Sequence, residues 1–182
     1  MQTLFNYDVA FSFLEADQVL AITIDNLLKD RLKTFIYTDR QAEIAGTDGE
    51  KIFNQVFGKE ARMVVILYRP QWGSTPWTRI EETAIRNRGY EEGYDFVLFV
   101  MLEKGISPSQ WLPKNRLWFG FERWGVQGLA SIIEARVQEV GGEVAEGEGV
   151  FCVKSLFNWV KYFSLENCKP HIRFMKNYLE TR

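Results

Sequence analysis

The feature that most limits the possible folds of this chain is the apolar, β-branched segment at residues 61–68, Ala-Arg-Met-Val-Val-Ile-Leu-Tyr. Its central residues do not alternate between apolar and polar, so a strand here must be covered on both faces. Strands of that kind lie at the centre of parallel sheets, where a helix joins each strand to the next. The segment therefore predicts an α/β protein.

The remaining apolar patterns supply the alternation of strands and helices that such a protein needs. Further strands are predicted at residues 7–13, 33–37, 95–102 and 116–119. Helices are predicted at about residues 20–28, 47–58, 75–88 and 125–140. Because parallel strands are joined by right-handed crossovers, we expect a flavodoxin-like, doubly wound, five-stranded parallel sheet with helices on both faces.

Two of these helices have recognisable ends. Thr47-x-x-Glu50 is typical of a capping box, and Gly58 is expected to end the helix that it opens. Thr75 and Pro76 are residue types preferred at the N-cap and at the first helical position. Ligands of parallel sheets bind beyond the carboxyl ends of the strands. The loops at that edge are predicted at residues 11–17, 38–49 and 68–77.

The last part of the chain differs from the rest in composition and charge. Residues 143–149 are acidic and rich in glycine, and we predict that they link a domain at 1–142 to a helical extension at 150–182. The extension holds six basic and two acidic side chains, whereas the whole chain has a formal net charge of -2. Its interleaved aromatic residues favour a packed helix over nucleic-acid binding, because an amphipathic stripe usually faces a core.

The composition argues against several classes of protein. No apolar run approaches the ~20 residues of a membrane span and no signal-sequence pattern opens the chain, so we expect a cytoplasmic protein without membrane contact. Cys152, Cys168 and His171 are the only cysteines and the only histidine, and they lack the spacing of a zinc site. We therefore expect no metal, and no cysteine or histidine nucleophile, in the main domain.

A carboxylate on the packed face of the third predicted helix is the main candidate for chemistry. The inward stripe of this helix is predicted to contain Trp77, Ile80, Glu81, Ala84 and Ile85. A buried acid needs hydrogen bonds or a function, because the burial of a charge is costly. Two interpretations of Glu81 stay open, a structural acid bonded to a neighbouring loop and a catalytic acid. Trp77 is likewise either a packing residue or a wall on which a planar base stacks.

Three motifs, in this order, resemble those of the Toll/interleukin-1 receptor (TIR) domain family. Residues 7–13, Tyr-Asp-Val-Ala-Phe-Ser-Phe, resemble the first TIR box, and residues 35–46 resemble the second strand and the BB loop. Ser74-x-x-Trp77-x-x-x-Glu81 resembles the helix start that carries the catalytic glutamate of the family. The resemblance covers about residues 5–142 and is closest to bacterial TIR proteins, many of which act in antiphage defence.

The resemblance implies an enzyme that cleaves the bond between nicotinamide and ribose in NAD. Glu81 would be the catalytic residue, and NAD would be a substrate, so no cofactor is expected. There is also no Gly-x-Gly-x-x-Gly fingerprint of a dehydrogenase. The product, ADP-ribose or a cyclised form, is left open. The residues that the resemblance implies in substrate binding are Phe11, Ser12, Asp39, Gln41 and Trp77.

The resemblance also implies that activity follows assembly, because a neighbouring subunit completes the site in active members of the family. We therefore expect self-association through TIR–TIR contacts, with residues 150–182 either promoting it or docking a partner effector protein. The alternative is a non-catalytic TIR interaction module that signals through homotypic contacts. A receiver domain is not expected, because that class needs an aspartate at the end of the third strand, where this chain has Tyr68-Arg69. A flavodoxin is not expected either, because it needs a phosphate-binding loop after the first strand, where this chain has the acidic segment 14–17.

Overall fold

A computed structural model of the chain describes residues 5–40, 46, 48–107, 109–113 and 118–145. The chain divides into two units, residues 1–150 and 151–182, and all the described residues belong to the first. The predicted helical extension therefore lies outside the described residues, as does most of the predicted linker. None of the described helices is both long and apolar enough to cross a membrane.

Five parallel strands and four α-helices form the described chain, and a helix follows each of the strands except the fourth. The strands are Tyr7–Ser12 (β1), Thr34–Phe35 (β2), Ala61–Tyr68 (β3), Val97–Met101 (β4) and Phe119–Gly120 (β5). The helices are Gln18–Leu28 (α1), Gly49–Gln55 (α2), Pro76–Glu92 (α3) and Phe121–Glu139 (α4). The strands form one sheet in the order β2-β1-β3-β4-β5. This is the flavodoxin-like order, and it confirms the predicted fold class.

The sheet separates two apolar cores. Side chains such as Phe11 and Val65 pack on one face against α1 and α4, whereas Ala10, Val64 and Ile66 pack on the other face against α2 and α3. Strand β3 lies at the centre and is buried on both faces. That position explains why its sequence is a continuous apolar run and not an alternating one.

The carboxyl ends of the central strands lie side by side. Ser12, the last residue of β1, is in register with Ile66 of β3, and Tyr68 of β3 is in register with Met101 of β4. The chain leaves β1 towards β2 on one side and later returns to β3 on the other, so the strand order reverses between β1 and β3. The loops after β1 and β3 therefore flank the crevice in which doubly wound proteins bind ligands.

The predicted ends of α2 are wrong. Asp48 caps the helix in place of Thr47, and its carboxylate accepts a hydrogen bond from the Lys51 N–H at 3.1 Å. The helical turns do not stop at Gly58 but continue as a π-helical turn to Glu60. Gly58 does not adopt the positive φ of a left-handed helix end, so it places no stop there.

Three other elements also differ from their predicted bounds. β2 has only two residues, because it is an edge strand paired with β1 alone, and a 3-10 turn follows at Tyr37–Arg40. α3 continues past its predicted end at residue 88 and stops at Glu92, because the glycine with positive φ that follows the helix is Gly93 (φ 82°). α4 extends from Phe121, but Gly125, the predicted start, has non-helical backbone angles (φ 63°, ψ -166°) and divides a short first segment from the long helix that follows it.

Candidate functional site

Ser12 and Glu81 meet at the carboxyl edge of the sheet. Ser12 ends β1, while Glu81 lies in the second turn of α3, whose start is fixed by Thr75. The Thr75 side chain accepts a hydrogen bond from the Thr78 N–H at 3.2 Å, and Pro76 follows the cap. The Ser12 hydroxyl donates a hydrogen bond to Glu81 Oε2 at 2.5 Å. Two residues 69 positions apart in the sequence thus form one buried polar pair.

The packed stripe of α3 confirms the predicted inward position of Glu81 but corrects that of Trp77. Glu81 is 2% exposed, whereas Trp77 is 56% exposed. Thr78 takes the inward position one turn before Glu81, because the buried positions of the helix follow the register of Thr78, Glu81 and Ile85. The Trp77 ring lies instead against α2, with its centroid 5.7 Å from that of Phe53 in an edge-on contact.

Burial dominates the electrostatics of Glu81. It raises the pKa of this carboxyl group to about 8, while the hydrogen bond from Ser12 acts in the opposite direction. Within the described part of the chain, no lysine or arginine forms an ion pair with Glu81. The guanidinium of Arg69, on the loop after β3, is held by Asp17 at 2.9 Å and by Glu103 at 2.5 Å. Among the residues that the structure describes, Glu81 is therefore a buried acid without a compensating cation.

Trp72 completes the polar cluster, and sequence reasoning missed it. Its indole Nε1–H donates a hydrogen bond to Ser12 Oγ at 2.8 Å, and its side chain is buried. The residue lies in the loop after β3, within the segment predicted at residues 68–77 as a loop of the ligand-binding edge. A tryptophan within an otherwise polar turn was the signal that could have indicated a buried role, because turn residues are usually solvated.

Tyr37 is a second neighbour of Glu81 that the sequence pattern did not indicate. Its ring stacks on Phe13 with centroids 5.2 Å apart, and it begins the 3-10 turn after β2. Burial raises the pKa of the Tyr37 hydroxyl, and the charges of Glu81 and Glu15 raise it further. The loops after β1 and β2 thus bring an aromatic hydroxyl and a second acid towards the same edge.

The other residues predicted to bind substrate are placed differently. Phe11 is fully buried in the core shared with α1 and α4, on the face of the sheet opposite Glu81, so its side chain does not reach the polar cluster. Asp39 lies in the 3-10 turn that begins at Tyr37, whereas Gln41 lies outside the described residues. The cluster that the structure brings together is therefore Ser12, Glu81 and Trp72, bordered by Tyr37.

Comparison with known proteins assigns no family. The sequence matches no protein-family model, and no curated protein is significantly similar to it.

Proposed function

We propose that this chain is a TIR-type NAD glycohydrolase or ADP-ribosyl cyclase in which Glu81 is the catalytic residue. The observation that carries the proposal is a carboxyl group that is 2% exposed, lacks a compensating cation among the described residues, and lies at the ligand-binding edge of a flavodoxin-like sheet. A site of that kind complements a ligand that brings its own positive charge. NAD carries such a charge on its nicotinamide ring.

The reaction breaks the glycosidic C–N bond of NAD. The bonding electron pair leaves with the ring nitrogen, so the cationic pyridinium departs as neutral nicotinamide and positive charge develops on the ribose. Glycosidases ordinarily need a general acid for the leaving group, but a pyridinium leaves without protonation. One carboxylate suffices to stabilise the oxocarbenium-like transition state. Water then adds to the anomeric carbon and releases a proton, or a nitrogen of the adenine ring adds and closes a cycle.

The ionisation of Glu81 fits this role. An isolated buried carboxyl group favours its neutral form, but a cationic ring placed beside it favours the anion. Binding of NAD therefore ionises the group in the complex where the charge is needed. The ring of Trp77, one turn before Glu81, is 56% exposed and available to contact a planar base. The hydroxyl of Ser12 is buried against Glu81, so ribose would reach it only after a covering group is displaced.

Assembly is part of the proposal. Glu81 is covered in the single chain, so substrate must displace a covering group before it reaches the carboxylate. We therefore expect turnover per chain to rise with protein concentration, as self-association through TIR–TIR contacts requires. An enzyme of this type, acting in bacterial antiphage defence, would consume NAD only after assembly, with residues 150–182 as the candidate segment for a partner effector.

The decisive experiment is incubation of concentrated protein with NAD, with nicotinamide release measured by chromatography. Glu81→Gln keeps the size of the side chain and removes the charge, and loss of a transition-state charge stabiliser of this kind lowers turnover by roughly 100-fold or more. Glu134→Gln is the matched control, because Glu134 is also a buried glutamate but lies on a different helix. Equal turnover in the wild type and Glu81→Gln would contradict the proposal.

A non-catalytic interaction module is the second candidate, and one observation favours it. Glu81 already has a hydrogen-bond donor in Ser12 and is covered, as expected for a structural acid. In that case no nicotinamide is released at any protein concentration, and Glu81→Gln leaves self-association unchanged. Sedimentation of the two proteins beside the NAD assay distinguishes the two functions.

A further inference from the structure

The hydrogen bonds that link Trp72 to Glu81 have a direction set by their chemistry. An indole N–H is a donor only, so its 2.8 Å contact makes Ser12 Oγ an acceptor. The hydroxyl has a single proton, which lies along the 2.5 Å contact to Glu81 Oε2. Donation therefore runs from Trp72 to Ser12 and from Ser12 to Glu81.

We propose that Trp72 is a positioning residue that fixes the orientation of the Ser12 hydroxyl and so keeps Glu81 Oε2 a hydrogen-bond acceptor. Donation from the indole polarises the Ser12 O–H bond and strengthens its donation to a carboxylate. Without the indole, the hydroxyl is free to rotate and can instead accept a hydrogen bond from a neutral Glu81. The effect of Trp72 on turnover rests on the proposed function, whereas its effect on the ionisation of Glu81 does not.

The packing around Trp72 holds its N–H in place. The indole contacts the rings of Tyr68, Phe99 and Trp111, with centroids 6.2, 6.2 and 6.3 Å away. These contacts come from β3, from β4 and from the loop after β4, so the indole is fixed from three sides. Apolar packing alone does not require the Trp72 N–H to point at the Ser12 hydroxyl, which contacts Glu81.

Other charged and titratable groups near Glu81 do not replace this chain of hydrogen bonds. Tyr37 faces it from the turn after β2, and its hydroxyl has a raised pKa. Glu15 and Asp17 lie in the turn after β1, where Asp17 is paired with Arg69. On α3 itself, Glu82 lies 3.9 Å from Arg86 and is not on the buried stripe. Ser12 is the neighbour that lowers the pKa of Glu81.

The test is a titration of the Glu81 side-chain carboxyl carbon by NMR in the full chain, with the signal assigned by its loss in Glu81→Gln. Trp72→Phe keeps an aromatic ring and removes the N–H, and we expect it to raise the pKa of Glu81 by about half a unit. Ser12→Ala removes the final donor and should raise the pKa by about one unit or more. In the Ser12→Ala background, Trp72→Phe should cause no further shift.

Trp111→Phe is the matched control. Trp111 belongs to the same aromatic group, but its buried Nε1 has no hydrogen-bond partner among the described residues. The same chemical change at this position should leave the pKa of Glu81 unchanged. If Trp72→Phe fails to fold, a benzothienylalanine at position 72 retains the shape of the indole without its N–H and serves as the test variant.

The outcomes separate this inference from the proposed function. The absence of a shift in Trp72→Phe, an equal shift in Trp111→Phe, or a Trp72→Phe shift that persists in the Ser12→Ala background would each overturn the positioning role. If the wild type cleaves NAD, the pKa of the acidic limb of its pH–rate profile should rise in Trp72→Phe and rise further in Ser12→Ala. A correct titration pattern without NAD cleavage would remove the proposed function and leave the positioning role intact.

Discussion

Two buried glutamates on opposite faces of the sheet differ in the charge of their hydrogen-bond partners. Glu134 on α4 is 6% exposed, and its Oε1 lies 2.6 Å from Arg31 Nη1 at the end of α1. Burial raises the pKa of Glu134, and Arg31 acts in the opposite direction. Glu81 on α3 is 2% exposed, and its hydrogen-bond partner within the described ranges is a neutral hydroxyl. Among those residues, a cation pairs with Glu134 and none pairs with Glu81.

A compensating cation distinguishes a structural acid from a candidate functional one. A paired acid such as Glu134 is stabilised by its own chain and has no need of a ligand. An uncompensated acid lowers the stability of the folded protein whenever it is ionised, and proteins retain such groups chiefly at functional sites. Substitutions on the α3 and α4 faces test this contrast between the two acids.

The largest effect is the dependence of stability on pH that Glu81 causes. The folded pKa of about 8 lies above the ordinary value of 4.5, so between these two pH values the folded state keeps a proton that the unfolded state has lost. Stability due to this group is therefore fully present below pH 4.5 and falls as the pH rises to about 8. Its full loss amounts to roughly 3 to 5 kcal/mol.

Glu81→Gln removes this titration. The variant should therefore gain stability relative to the wild type as the pH rises. Its unfolding free energy minus that of the wild type should increase by roughly 3 to 5 kcal/mol between pH 5 and pH 9. Urea denaturation at several pH values measures it. A difference that stays constant with pH would show that Glu81 is ionised at its ordinary pKa and would remove the contrast with Glu134.

The second effect comes from breaking the compensated pair on the α4 face. Arg31→Met leaves Glu134 buried without its cation and should destabilise the protein by roughly 2 to 3 kcal/mol at pH 7, since Arg31 itself is only partly buried. Adding Glu134→Gln to this variant should restore much of the stability. Denaturant unfolding of the wild type, Arg31→Met, Glu134→Gln and the double variant gives the coupling energy between the two residues. A coupling energy near zero would show that Arg31 does not compensate Glu134.

A smaller effect is expected at the helix starts that carry the two acids. Thr75 caps α3 with its side chain, whereas Gly120 at the start of α4 makes no side-chain cap. Thr75→Ala should therefore cost about 1 kcal/mol of unfolding free energy. Because Glu81 lies in the second turn of the same helix, NAD turnover should fall as well. Unchanged stability would mean that packing alone fixes the start of α3.

The smallest effect is expected at Glu82, the partly buried neighbour of Glu81. Glu82 lies 3.9 Å from Arg86 one turn later on α3, an ordinary surface pair. Glu82→Gln should change the unfolding free energy by only about 0.2 to 0.5 kcal/mol. Its NAD turnover should match the wild type. A loss of turnover as large as that of Glu81→Gln would show that the adjacent carboxylate had been overlooked.

Much of the fold could be predicted because its signals are local. The β-branched run at 61–68 indicates a central strand whatever surrounds it, and Thr75-Pro76 indicates a helix start within two residues. The helical spacing of Ile80, Glu81 and Ile85 likewise indicates a carboxylate on a packed face. Trp77 was misplaced because a stripe read from spacing alone is uncertain by one position at a helix end, where Thr78 serves both the cap and the core.

By itself, the sequence determined the parallel sheet, the presence of a buried acid on α3 and the absence of cysteine and histidine from the main domain. Only the tertiary structure decided what surrounds that acid. Ser12 and Trp72 approach Glu81 from other elements, and Arg31 reaches Glu134 across 103 residues of chain. Periodicity reports which face a residue lies on, but the pKa and partners of a buried carboxylate depend on which distant groups the folded sheet brings within hydrogen-bond distance.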